Sequence, residues 1–165
     1  GIYVLDASNR KPEINNNITS RWPGPLELLE ARQEIETANV ALAALRINKD
    51  CLEELEQALN DMVCDNTDGA GAEREFHLLI AKATGNRVLE TVTAYLWDQQ
   101  QNSPMWTKLL DMIKVRKLHT IIQDDHHKIL DCLRHKDSEK AQFIMREHLN
   151  HARSIYFDLI DDDEE

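Results

Sequence analysis

The stretch SEKAQFIMREHLNHARSIYFDL, residues 138–159, places Ala141, Ile144, Met145, His148, Ala152, Ile155 and Leu159 at i, i+3, i+4, i+7, i+11, i+14 and i+18. That is a single face of a 3.6-residue helix, with Asp137 or Ser138 as its cap. A histidine on that face faces a core, where its ring nitrogens need partners. Only Arg134 to Lys136 separate this helix from the preceding one, read over roughly Lys114 to Leu133. There His126 lies between Ile122 and Ile129. So short a connection makes the two helices antiparallel neighbours. His126 and His148 lie at similar chain distances on either side of the turn, so at about 1.5 Å of rise per residue they sit at one height.

Working outward, Thr84, Gly85 and Asn86 end one helix, read from near Gly71 to Ala83, and cap the next, in which Val88, Leu89, Val92 and Leu96 mark the buried face. Pro104 starts a short fifth helix through about Leu110, either separate from the sixth or continuous with it. Towards the N-terminus, Pro23 and Pro25 bracket the start of a long first helix carrying Leu26, Leu29, Ala38, Ala41, Ala44 and Leu45. Asp50 followed by Glu53 has the form of a capping box for the second helix, whose face is Leu52, Leu55, Leu59 and Met62. The chain is therefore all-α, with six to seven helices.

The 165 residues suit one domain. Residues 1–22 read as a β-prone scrap and polar linker, 23–160 as the helical domain, and 161–165 as an acidic tail. An apolar fraction of 42% with only five glycines and four prolines is that of a soluble helical protein. A formal charge of −11 repels a phosphate backbone, so this segment by itself is not expected to bind DNA. Cys51, Cys64 and Cys132 show no disulfide or zinc-knuckle spacing, which fits a reducing cytosol. No apolar run approaches the length of a membrane span.

The chemistry concentrates in four residues. Glu73 and His77 stand four apart on one helix, roughly 6 Å from each other, and His126 and His148 meet from two others. Three imidazoles and a carboxylate directed inward are the donor set of one divalent transition metal ion. Zinc leads the candidates, with nickel, manganese and iron as alternatives. A core histidine is individually more often a satisfied packing residue than a ligand, but three with a carboxylate at matched heights favour the ion. His127 points elsewhere, and His119, His135 and His151 have no equivalent set of partners. Tyr95, Trp97 and Trp106 read as core first and cavity lining second.

The runs Glu73-Arg74-Glu75-Phe76-His77, Ala83-Thr84-Gly85-Asn86, Asp125-His126-His127-Lys128-Ile129 and Met145-Arg146-Glu147-His148-Leu149, with histidine separations of 49 (77 to 126) and 22 (126 to 148), resemble the C-terminal effector-binding domain, FCD, of FadR-type GntR-family transcription regulators. The resemblance extends from Pro25 to Leu159. It implies an antiparallel helical bundle, a homodimer in the intact regulator, and a metal that helps hold a small carboxylate effector. DNA would then be bound only by an absent N-terminal winged-helix domain, of whose wing Gly1 to Val4 resembles the last strand. His77, His126 and His148 match the ligand histidines of the family. Its pattern has aspartate where this chain has Glu73, and the longer side chain can bind in another mode or through water. Arg32 matches a position where such regulators place an arginine against the effector, its alternative being a surface pair with Glu36. Asn86 is a helix cap first and an effector contact second. Ser103-Pro104-Met105-Trp106 is similar to hexuronate-responsive members, which points to a sugar-acid effector. The implied protein is a cytoplasmic sensor and not an enzyme. The alternative is a small hydrolase-like metalloenzyme using the same site, for which no H-E-x-x-H helix or paired E-x-x-H motif is present.

Overall fold

A computed structural model describes residues 23–64, 70–104, 106–107 and 119–161. The wing-like N-terminus, most of the fifth helix expected after Pro104, the start of the helix before His119 and the end of the acidic tail lie outside these residues. So do the side chains of Ile155 and Leu159. Among the described residues the regular elements are six helices and no strand: α1 Pro25–Arg46, α2 Lys49–Cys64, α3 Ala70–Ala83, α4 Arg87–Gln101, α5 His119–Arg134 and α6 Ser138–Asp161. None is long and apolar enough to cross a membrane.

Local chemistry sets most boundaries. Pro25 occupies the first turn of α1, where its missing N–H costs nothing, and the Glu27 carboxylate accepts from Gly24 N at 2.7 Å. For α2 the expected Asp50–Glu53 box is not the cap. Asn48 Oδ1 accepts from Cys51 N at 2.9 Å, two residues earlier than expected. Asp50 falls inside the first turn, where its charge suits the positive helix end. Asn86 caps α4 as expected, accepting from Val88 N and Leu89 N. Asp137 caps α6, its Oδ1 accepting from Lys140 N at 3.1 Å. Between α3 and α4 the chain turns through Gly85 at φ 67°. A Cβ added there meets nothing within 4 Å, so only backbone strain opposes a side chain. Gly85→Ala is expected to cost about 1–2 kcal/mol, read as a lower midpoint in urea with an unchanged slope.

Helix α1 is the spine: it packs against α3, α4, α5 and α6, while α2 covers α3 and α5 and α6 lies along α5. Ser138 Oγ donates to Ala41 O at 2.9 Å, tying the start of α6 to α1. The apolar core joins Val40, Ala43 and Ala44 to Leu55, Leu59, Phe76, Ile80, Ile129, Leu133, Met145 and Leu149. Each fully buried large side chain contributes about 1.5–3 kcal/mol of transfer free energy. Two helices are rotated from expectation. On α1 the inner face is Leu28, Leu29, Arg32, Glu36, Val40, Ala43 and Ala44, with Leu45 outside. On α4 it is Thr93, Leu96, Trp97 and Gln100, leaving Val88 69% and Tyr95 60% exposed. In both, polar residues share the inner face, which apolar periodicity does not register.

Candidate metal and effector site

Along α1, α3, α5 and α6 the hydrocarbon core gives way to a buried polar layer: Arg32, Glu36, Asn39, His77, Asp125, His126 and His148, closed on the α4 side by Thr93 and Gln100. The four residues proposed from spacing come together there. One ligand atom from each of Glu73, His77, His126 and His148 can be chosen so that all lie within 4.8 Å of one another. The three histidines are buried and Glu73 is half-buried. Their ring centroids are 5.4 Å (His77–His126), 5.2 Å (His77–His148) and 4.5 Å (His126–His148) apart. Phe76 packs on His126 at 4.8 Å and Trp97 on His77 at 5.1 Å, which limits how far the rings can swing.

The donors suit a cation. His77 Nε2, both nitrogens of His126 and His148 Nδ1 are buried without a hydrogen-bond partner from the protein. Each such group costs roughly 1–3 kcal/mol when left unmade, so a layer of this kind is expensive unless something binds it. Burial, with the neighbouring His77 and Arg32 charges, holds His126 well below the ordinary histidine range. Burial also lowers His148, aided by His126, His77 and Arg32. Both rings are therefore neutral near pH 7, the form that ligates metal.

The same shifts fix a pH dependence for the chelated protein. An imidazole with a depressed folded pKa takes its proton in the unfolded chain first. Its contribution is therefore complete above about pH 6.5 and is lost as pH falls below that value. With two such rings, unfolding free energy is expected to decline by up to about 2.7 kcal/mol per pH unit below that point. Thermal melts from pH 7.5 to 5.5 test this, and a flat profile would contradict it.

Arg32 is not a surface arginine. At 2% exposure it lies in the polar layer, Nε donating to Glu36 Oε1 at 2.7 Å and Nη1 to Gln100 Oε1 at 2.8 Å. Its Cζ lies 3.8 Å from the centroid of Trp97, leaving Nη2 buried and unpartnered. The pairing with Glu36 is real, but it is internal. Burial raises the Glu36 pKa, while Arg32, with its hydrogen bond, and the neighbouring His77 outweigh it, holding the carboxyl well below the carboxylate range. The other Glu36 oxygen, Oε2, contacts His77 Nδ1 with a geometry outside ordinary hydrogen-bond angles.

Asn86 is exposed, and its Oδ1 is taken up by the cap. Trp97 and Trp106 are buried, unlike Tyr95, and His127 is exposed. Periodicity missed Glu36 and Gln100. It also missed Asp125 and His151, whose Oδ2 and Nδ1 are 2.6 Å apart. The same Oδ2 lies 3.9 Å from His148 Nδ1, too far for a hydrogen bond. The legible signal was a charged pair, Arg32 and Glu36, in register with Leu29 and Val40 on one helix face.

An all-helical unit with a buried three-histidine and carboxylate cluster beside an arginine has the form of a ligand-binding regulatory domain. Residues 27–151 match the FCD domain family, and the chain belongs to it. It is 34% identical over 166 residues to the Uxu operon regulator of Haemophilus influenzae, covering 98% of this chain and 61% of that protein. It is 32% identical over 168 residues to the Exu regulon transcriptional regulator of Escherichia coli K12, covering 99% and 64% respectively. The chain thus spans somewhat under two thirds of the length of these relatives. Among solved structures, Escherichia coli McbR/YncC superposes with a TM-score of 0.67 at 22% identity, over 81% of this chain and 64% of that one. Streptococcus agalactiae GntR does so with a TM-score of 0.61 at 22% identity, over 78% and 57%. These relatives are named as operon or transcriptional regulators, which goes against the hydrolase-like alternative.

Proposed function

We propose that this domain is the sensing part of a transcription regulator and binds a small carboxylate, of the sugar-acid type, beside a divalent metal ion. The reading is carried by one observation: four ligand atoms within 4.8 Å of one another, next to a buried arginine with a free N–H edge. His77, His126 and His148 would hold the ion, with Glu73 as the fourth ligand directly or through water. Bound there, zinc or a related divalent ion would supply a Lewis-acidic centre with coordination positions for carboxylate and hydroxyl oxygens.

The chain's own groups then do the recognising. The free edge of Arg32 pairs with the effector carboxylate, the Trp97 face and Gln100 Oε1 hold the guanidinium in place, and the surrounding hydrocarbon keeps water from competing. Hexuronates are the preferred effector class, from the similarity at Ser103 to Trp106 and from relatives bearing the names Uxu and Exu. Asn86 caps α4 at the end opposite Gln100, about 20 Å away along the helix, so the effector contact expected of it has no place beside Arg32. In the intact protein, a homodimer would carry DNA-binding domains N-terminal to this one. Effector affinity differing between two helix arrangements would supply the free energy to shift how they address an operator.

Calorimetric titration of zinc-loaded and chelated protein with glucuronate, galacturonate and simple carboxylates tests the proposal. Binding by the loaded form alone, strongest for a hexuronate, supports it. Equal heats with and without chelator would remove the metal from recognition.

A further inference from the structure

Glu36, like Asp125, is a charged group of the polar layer outside the four proposed ligands and the effector's own contacts, but Glu36 touches both sides of the site. Its Oε1 accepts from Arg32 Nε at 2.7 Å and its Oε2 contacts Nδ1 of His77. The metal-ligating form of an imidazole carries one N–H and one lone pair, and a lone pair set against the carboxylate would be repelled. The contact therefore favours the proton on the nitrogen facing Glu36, even though its angle lies outside the ordinary hydrogen-bond range. The lone pair is thereby left on Nε2, which is buried and has no partner in the protein. His126 has no hydrogen-bonded carboxylate, and His148 Nδ1 stands 3.9 Å from that of Asp125. Among the three imidazoles, His77 alone has its tautomer set by a carboxylate in contact.

We infer that Glu36 is a positioning residue of the metal centre, holding His77 in the Nδ1–H tautomer with Nε2 presented to the ion while it orients Arg32 for the effector. This rests on the reading that ion and anion share the site. Because one carboxylate serves both, it also links them: ordering of His77 by the ion and of Arg32 by the effector each favour the same Glu36 rotamer. Each event is therefore expected to strengthen the other. Glutamine in its place offers one oxygen acceptor and one amide donor, so it can serve only one of the two neighbours.

The test combines nitrogen-15 NMR of the His77 ring in chelated protein with zinc affinity by chelator competition. The unaltered protein is expected to show the Nδ1–H tautomer. Glu36→Gln is expected to lose that tautomer and to bind zinc 10–100-fold more weakly. Glu36→Asp, which keeps a carboxylate, is expected to recover part of both. An Nε2–H tautomer in the unaltered protein overturns the inference without any variant being needed. A folded Glu36→Gln that keeps the tautomer and binds zinc within about twofold of its parent overturns it too, and leaves the metal reading standing. A parent with no zinc affinity overturns the metal reading and this role with it.

Discussion

Alanine in place of His126 is expected to abolish stabilisation of the protein by zinc. A structural zinc binds with roughly 10–16 kcal/mol, so one ligand of four is worth about 3 kcal/mol, on the order of a hundredfold in affinity. At a free zinc concentration a hundred times the parent's Kd, the parent gains about 2.7 kcal/mol and the variant well under 1 kcal/mol. His126 is the informative choice because neither of its buried nitrogens has a protein partner. Its removal therefore breaks no hydrogen bond in the chelated protein, where the void it leaves is offset by the relief of two unmade polar groups. Thermal melts with and without zinc separate the two effects. An equal zinc-induced rise in both proteins would place the ion elsewhere.

The second large effect is expected at Arg32. Replacement by methionine leaves Glu36 buried with only His77 to face. Breaking one side of a buried ion pair costs about 3–5 kcal/mol, which in a domain of this size is roughly 6–20 °C of melting temperature. Effector affinity should fall as well, by on the order of a hundredfold, since loss of a buried charged partner costs about 2–5 kcal/mol. The double replacement Arg32→Met with Glu36→Leu separates the two roles. It removes both charges together and should recover most of the lost stability, because an apolar pair commonly matches a buried ion pair. It should recover none of the effector affinity. Recovery of both would show that Arg32 serves only the fold.

The four-residue cluster was readable from residue order because its convergence depends on helix geometry alone. Glu73 and His77 share a face by their spacing of four, and the brief turn after Arg134 sets α5 against α6 with His126 and His148 level. The supporting residues were harder to read. Glu36 and Gln100 lie on inner faces that an apolar pattern scores as polar, and the structure turns α1 and α4 by the fraction of a turn that buries them. Asp125 and His151 meet across two helices, Asp125 next to His126 in sequence and His151 three residues after His148, but as polar residues off the apolar stripes they give periodicity nothing by which to pair them. Asn48 replaced Asp50 as a cap because the connection after Arg46 is only two residues long, and the earlier asparagine already satisfies the exposed N–H. Buried polar groups are thus where pattern reading runs out, since hydrophobicity does not distinguish a solvated charge from a paired internal one.

X-ray absorption at the zinc edge of the loaded protein, recorded before and after addition of a hexuronate, addresses the shared site itself. The expected spectrum contains three imidazole nitrogens at about 2.0–2.1 Å with one or two oxygens, and the effector should change the oxygen shell while leaving the imidazoles in place. A first shell with fewer than three imidazoles, or one that a saturating effector leaves unaltered, would contradict a common site for ion and anion.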